Sequence, residues 1–441
     1  MARFLFCTVP AVGHINPGLP IARALVGRGH EVCWYTGRKY QAQVEATGAR
    51  YEPMRAALDF DDQDLQATFP DLAGRSGLSA LKAGIKHLSI DSAPGQLEDL
   101  QRLLVGFPAD VLMADTAFLG ALFTHERGGP PRAVYGVTPL PIPSRDTAPF
   151  GLGLAPSSTP LGRLRNRALY GLFDRVLFRD VHAHYNRVRA RVGLPASPAG
   201  VFNDTVSPHL YLQGTVASFE YPRSDLPPQV HFIGPFLPGP SPDFTPPAWW
   251  DELRAGGRPV VHVTQGTITT DPSQLLLPTL QALADQEVLV VATTGGQPAD
   301  TIPLTPLPAN ARLAPFIPYF HLLPQVDLMV TNGGYGGVQA ALANGIPLVA
   351  AGRTEEKPEI CARVAWAGVG INLKTNRPTP DRIREAVRAV LADPRYRHNA
   401  QRLAADIARH DAPAEAAVLL ERLAATKQPV TTAPMPRSGR L

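Results

Sequence analysis

His14 follows a largely apolar run, Phe4 to Val9, within Gly13-His14-Ile15-Asn16-Pro17-Gly18. If that run is a buried strand, His14 lies at its carboxyl end, the edge of an open α/β sheet where ligands bind. An imidazole with an ordinary pKa of about 6.5 can take a proton from a hydroxyl there, or can simply hydrogen-bond the turn. Asp115 closes a second apolar run, Asp110-Val-Leu-Met-Ala114. It can meet His14 across the sheet edge and orient the ring as the acid of a triad does; capping a helix over Thr116 to Phe123 is the competing role.

Two glycine-containing turns suit an anion. Gly266 and Thr267 follow the strand-like run Val260 to Thr264, and Asn332-Gly333-Gly334-Tyr335-Gly336-Gly337 follows Leu328 to Thr331 and opens a helix. Glycine lets backbone N–H groups approach a phosphate, and the helix dipole favours its charge by about 0.3–1 kcal/mol; a plain tight turn accounts for the same residues. Neither turn has P-loop spacing or a G-x-G-x-x-G with a placed acid, which disfavours ATP hydrolysis and dinucleotide redox chemistry and leaves a nucleoside diphosphate carrier. Glu355, Glu356 and Lys357 precede another helix, where carboxylates could bond sugar hydroxyls or merely favour the helix start. Asp59-Phe-Asp61-Asp62-Gln-Asp64 has the Asp-x-Asp spacing of a metal pair but reads mainly as a solvated loop.

These residues need a scaffold of alternating strands and helices, and the chain supplies it twice. Strand runs Phe4–Val9, Glu31–Thr36, Ala49–Met54, Asp110–Ala114 and Arg132–Val137 are spaced for helical crossovers. After a proline-dense stretch the rhythm restarts with Val260–Thr264, Val288–Thr293, Arg312–Ile317, Leu328–Thr331 and Pro347–Ala351. The expected division is residues 1–234, a linker at 235–257, a second domain at 258–425 and a disordered tail at 426–441. At 441 residues, 44% hydrophobic and 18% charged, the chain can bury two cores. Its formal charge of +4 comes without a clustered basic stripe, which argues against nucleic acid. Cys7, Cys33 and Cys361 are dispersed and read as reduced core thiols. No apolar run approaches the roughly 18 residues of a membrane span, so a cytoplasmic protein without stable membrane insertion is expected.

The ordered set Gly13-His14-x-x-Pro17, Arg28-Gly-His-Glu-Val32, Val230 to Pro235, Val263-Thr-Gln-Gly-Thr267 and Phe316-Ile-Pro318 to Val364 resembles the UDP-glycosyltransferase family of GT-B fold, over residues 1 to about 425. The likeness is to its bacterial branch that decorates macrolides, other polyketides and flavonoid-like aglycones. The resemblance implies two Rossmann-like α/β domains facing a cleft, with the acceptor in the first and the donor in the second. It implies His14 as catalytic base, Asp115 as its partner, and Gly266 and Thr267 beside the donor phosphate. Phe316 stands where the family usually stacks a tryptophan on the uracil, and Ile317 offers backbone bonds to the base. Asn332 replaces the usual histidine at the diphosphate, Gly333 to Gly337 match the turn around it, and Glu356 with Lys357 replaces the usual Asp-Gln pair on the sugar. Ala340 stands where a glutamate often bonds the ribose.

The reading that results is an inverting, metal-independent hexosyltransferase of secondary metabolism, moving a sugar from a UDP- or dTDP-linked donor to an apolar hydroxylated small molecule. The nucleotide sugar is a co-substrate and no cofactor is expected. A GT-B epimerase or hydrolase and a non-catalytic sugar-nucleotide-binding accessory protein are the rivals, and a homodimer stays open.

Overall fold

The computed structural model describes the chain except residues 63, 65–67, 73, 74, 76, 238, 242, 256, 267–270, 299–301 and 433–441. Thr267 therefore lies outside the described residues, as does the end of the tail. Seven strands build the first sheet: β1 (Arg3–Cys7), β2 (Glu31–Thr36), β3 (Arg50–Pro53), β4 (Val111–Asp115), β5 (Arg132–Gly136), β6 (Leu210–Gln213) and β7 (Val230–Phe232). All pair in parallel in the order β3-β2-β1-β4-β5-β6-β7. The second sheet contains β8 (Val260–Thr264), β9 (Leu289–Thr293), β10 (Ala311–Ala314), β11 (Leu328–Thr331), β12 (Leu348–Ala350) and β13 (Gly370–Asn372). It is also parallel, in the order β10-β9-β8-β11-β12-β13. The two halves are Rossmann-like, and the central strands are wholly buried, which explains their unbroken apolar runs.

In both sheets the strand order reverses beside the first strand, between β1 and β4 and between β8 and β11. A crevice opens at such a reversal because the following connections leave in opposite directions. Cys7 pairs with Ala114 in the first sheet and Thr264 with Thr331 in the second. The segments carrying His14 and Asp115, and those carrying Gly266 and Asn332, therefore leave their sheets side by side.

Two expectations change. The division at residue 425 fails because helix Ala412–Thr426 packs on the first domain: Ala416, Ala417, Leu420 and Leu423 share a core with Phe4, Phe6, Ile21 and Leu25. The preceding helix, Pro394–Ile407, places Ala400, Leu403 and Ile407 in the second core, so the chain crosses back between 407 and 412. Burying a leucine contributes about 1.5–3 kcal/mol, enough for a few such residues to fix where the helix docks. The tail is ordered at least to Thr432: Val430 is buried, its amide donates to the His209 carbonyl at 2.8 Å, and Thr432 N donates to Pro228 O. The proline-rich connection is likewise packed, with Phe236 against the first core and Phe244, Trp249 and Trp250 against the second.

Buried polar contacts join the domains. Gln213 Nε2 donates to Tyr335 Oη at 3.1 Å and Gln339 Nε2 to Thr215 Oγ1 at 2.8 Å. Glu220 accepts from Arg363 Nε at 2.8 Å and, through its other oxygen, from Leu140 N at 2.9 Å. Both charged side chains are 1% exposed.

Candidate active site

The chain leaves β1 and forms one helical turn, α1 (Val12–Ile15), so His14 lies on a short helix where a loop was expected. Its ring and its backbone are each held by one partner. Nδ1 lies 2.8 Å from Asp115 Oδ1, and Tyr135 Oη donates to the His14 carbonyl at 2.5 Å. Asp115 is fully enclosed and also accepts from Ala117 N at 2.7 Å and Val9 N at 2.9 Å. One carboxylate thus orients the ring and holds both backbone segments leaving the sheet. The helix that follows starts only at Leu119 and takes no side-chain cap, so Asp115 closes the turn at Ala117 and orients the ring, one oxygen serving Ala117 N and His14 together.

A carboxylate accepts only, so the imidazole presents Nδ1–H to Asp115 and keeps its lone pair on Nε2. The His14 side chain is 24% exposed. Burial pushes its pKa down, but the charge and hydrogen bond of Asp115, with smaller contributions from Glu356 and Asp62, carry it above the ordinary value. Glu356 belongs to the second domain, so the electrostatics of His14 already join both halves of the site. Burial drives Glu356 in the opposite sense, raising its pKa against the lowering influence of Lys357.

The donor-side turns meet beside the second sheet. Asn332 Nδ2 donates to the Gln265 carbonyl, linking the segment after β11 to that after β8. The Gln265 side-chain oxygen accepts from Leu275 N and Leu276 N at 2.9 and 2.8 Å, which anchors the connection to the following helix. Gly334 caps helix Tyr335–Ala343, with Gly336 and Gly337 in its first turn. Gly333 has φ +85°, and a Cβ there would meet Cys361 Sγ at 2.7 Å; a Cβ on Gly352 would lie 2.1 Å from the Asn332 carbonyl oxygen. Both glycines let this backbone approach its neighbours. Gln265, Asn332, Thr354 and Lys357 line one cavity.

Not every expected donor residue faces that cavity. The Tyr335 ring is buried in the second core and bonds Gln213, so only its backbone belongs to the helix start. Ile317 is buried, whereas Phe316 is 62% exposed and presents an uncovered ring. Lys357 bonds Thr354 Oγ1 at 3.1 Å and pairs with Glu355. Its charge is therefore matched by a neighbour, and Glu355 takes the left-handed φ of +50° that makes this pairing loop.

The acidic run is spoken for. Asp59 accepts from Arg38 N at 3.0 Å, while Asp62 accepts from Val12 N at 2.8 Å and from Lys39 Nζ at 2.6 Å. Among the described residues no group of three potential ligands could hold a metal ion, and no helix is long and apolar enough to cross a membrane. The sequence does not single out Tyr135, whose place beside Asp115 comes from the β4–β5 register, and it offers Gln265 only within the Val263–Thr267 motif and Asp62 only within the metal-like acidic run.

Comparison with known proteins places this geometry. The C-terminal domain described as erythromycin biosynthesis protein CIII-like matches residues 275–423. The chain is 53% identical to 4'-demethylrebeccamycin synthase of Lentzea aerocolonigenes, over 96% of this chain and 99% of that protein. It is 36% identical to UDP-glycosyltransferase 2 of Phaeomoniella chlamydospora, over 96% and 95% of the respective chains. The solved calicheamicin glycosyltransferase superposes with a TM-score of 0.73 at 23% identity, covering 97% of this chain and all of that one, which identifies the fold as GT-B. With full-length relatives at these identities and two Rossmann-like domains in the GT-B arrangement, the chain belongs to the UDP-glycosyltransferase family.

Proposed function

We propose that this glycosyltransferase moves a sugar from a UDP- or dTDP-linked donor to a hydroxyl of an apolar natural-product acceptor, inverting the anomeric centre and needing no metal. The observation that carries the reading is the His14–Asp115 contact of 2.8 Å at the β1–β4 reversal. His14 Nε2 takes the acceptor proton as its oxygen attacks the anomeric carbon, and the sugar–phosphate bond breaks on the opposite side. Asp115 stabilises the imidazolium that forms. The diphosphate departs toward the amides at Gly334 to Gly337, where the helix N-terminus favours developing negative charge. Glu356, half-buried before helix Lys357–Trp366 and electrostatically linked to His14, is placed to bond the sugar hydroxyls. The name of the 53% identical relative, 4'-demethylrebeccamycin synthase, supports a natural-product acceptor.

Incubation with a panel of UDP- and dTDP-sugars, with and without apolar phenols and polyketides, tests the proposal. Nucleoside diphosphate should be released only when acceptor is present, and chelator should leave the rate intact. Release or isomerisation without acceptor would indicate a hydrolase or epimerase, and binding without turnover a sugar-nucleotide-binding accessory protein. A rate lost to chelator and restored by magnesium or manganese would contradict metal independence.

The exposed Phe316 ring is proposed to stack on the nucleotide base, with Ile317 supplying backbone bonds. Stacking contributes about 0.5–1.5 kcal/mol beyond area burial, so Phe316→Ala should raise the donor KM about two- to tenfold with a much smaller change in kcat. An unchanged donor KM would place the base elsewhere.

A further inference from the structure

We propose that Asp62 is a positioning residue for His14: its carboxylate caps the one-turn helix carrying the base, and Lys39 holds that carboxylate in place. The acidic run that resembles a metal pair thereby becomes part of the acceptor-activating machinery. The inference rests on His14 as general base.

Helix α1 lacks a cap from its own sequence. The residue before it is Ala11, whose side chain cannot accept a hydrogen bond, and no side chain caps the turn from that position. A short helix starting this way leaves its first amides without intrahelical acceptors. Asp62, fifty residues downstream, supplies an acceptor for Val12 N at 2.8 Å. His14 N and Ile15 N then bond the Ala11 carbonyl at 2.9 and 3.0 Å. His14 follows the capped amide by two residues, so a shift of the turn displaces the imidazole directly.

The carboxylate is itself immobilised. Asp62 is 6% exposed, and its second oxygen accepts from Lys39 Nζ at 2.6 Å. Lys39 also bonds Asp61 at 2.6 Å. Asp59 anchors the preceding end of the run to Arg38 N, and a Cβ on Gly37 would fall 2.4 Å from Pro10 Cβ and 2.5 Å from Asp59 Oδ1. The acidic run, the 37–40 turn and the start of the His14 segment are therefore packed as one unit. Holding a reacting group in place matters because a displacement of about 1 Å can cost about 10²-fold in rate.

The same geometry has an electrostatic component. His14 is influenced by Asp115 within its own domain, by Glu356 from the second domain and by Asp62, all raising its pKa against burial. Around Asp62 stand Lys39, Asp61 and the Tyr40 phenol, which burial and Asp62 together keep protonated. Burial works against ionisation of Asp62, but Lys39 and Val12 N hold its pKa below the ordinary value, so it remains charged across the neutral range.

Three variants separate the effects. Asp62→Asn retains an oxygen for Val12 N and loses the charge; the acid limb of kcat/KM against pH should move to lower pH. Asp62→Ala loses the cap as well and should lower kcat about tenfold or more, with Asp62→Asn recovering most of that loss. Lys39→Met keeps an apolar stem and removes the ammonium that pairs with Asp62, so the limb should move up. Donor KM should stay within about twofold throughout, since none of these residues lines the donor side. If Asp62→Ala does not fold, the opposed shifts of the other two decide. An unmoved limb in both Asp62→Asn and Lys39→Met would overturn the proposal. His14→Ala run alongside separates the two readings: full activity without His14 defeats the base itself, whereas loss with His14→Ala and no response at Asp62 or Lys39 defeats only the positioning role.

Discussion

His14→Ala is expected to lower kcat by about 10²–10⁴, the usual contribution of a positioned general base, while donor affinity changes little. In the proposed mechanism the second domain holds the donor and His14 engages the acceptor hydroxyl. Asp115→Asn should act in the same direction because an amide can offer its N–H to Nδ1 and turn the lone pair away from Nε2. The double variant should cost much less than the product of the two single effects, as residues acting as a unit are not additive. If the neutral imidazole acts as the proposed base, kcat/KM should rise with pH through the raised pKa of His14. Asp115→Asn removes the strongest influence raising that value and should shift the limb to lower pH as well as lowering the plateau. An acceptor with a more acidic hydroxyl should shrink the His14→Ala penalty, since an ionised oxygen needs no base. Wild-type kcat in His14→Ala on a poorly acidic alcohol, at saturating donor, would eliminate His14 from the mechanism.

The second large effect concerns stability. Arg363→Ala is expected to cost about 3–5 kcal/mol, because it leaves the Glu220 carboxylate charged and buried without its main partner. Arg363 reaches Glu220 in the first domain and Glu359 on its own helix, the latter at 2.9 Å, and lies 4.0 Å over the Tyr221 ring. Glu359 in turn accepts from Gly151 N and Gly153 N at 3.0 and 2.7 Å, tying a first-domain loop to the helix that begins beside Glu356. Replacing the pair together, Glu220→Gln with Arg363→Met, should recover only part of the loss, since Glu220 no longer carries a buried charge while Arg223 and Glu359 each lose a partner. Denaturant unfolding of the three proteins measures this, and equal stability of Arg363→Ala and wild type would show that the pair contributes nothing. Burial raises the pKa of Glu220, but Arg363 and Arg223 overcome it and hold the group below its ordinary value. The stability Glu220 contributes is therefore complete above the unfolded carboxyl pKa of about 4.3 and disappears as pH falls through the lower folded value.

What was legible from sequence is what local pattern encodes. Unbroken apolar runs announce parallel strands, and the residues just past them, His14, Asp115, Gly266 and Asn332, inherit positions at the sheet edges. Long-range assignments were harder. The apolar face of Ala412–Thr426 says that the helix packs on something, but only three-dimensional proximity selects the first core over the second. Tyr335 lies among glycines that approach the donor, yet a bulky ring at a helix start can turn inward, and here it meets Gln213. Asp62 shows the same limit, since a cap supplied from fifty residues away leaves no spacing to read. The pairing of Lys357 with Glu355 is likewise set by the turn between them and not by residue type alone.

The anomeric configuration of the product tests the central claim most directly. With a nucleoside diphosphate sugar of known configuration and an acceptor that supports turnover, the linkage of the glycoside is read from its proton and carbon couplings. A single displacement assisted by His14 predicts one product with the configuration opposite to that of the donor. A glycoside that retains the donor configuration would contradict the mechanism.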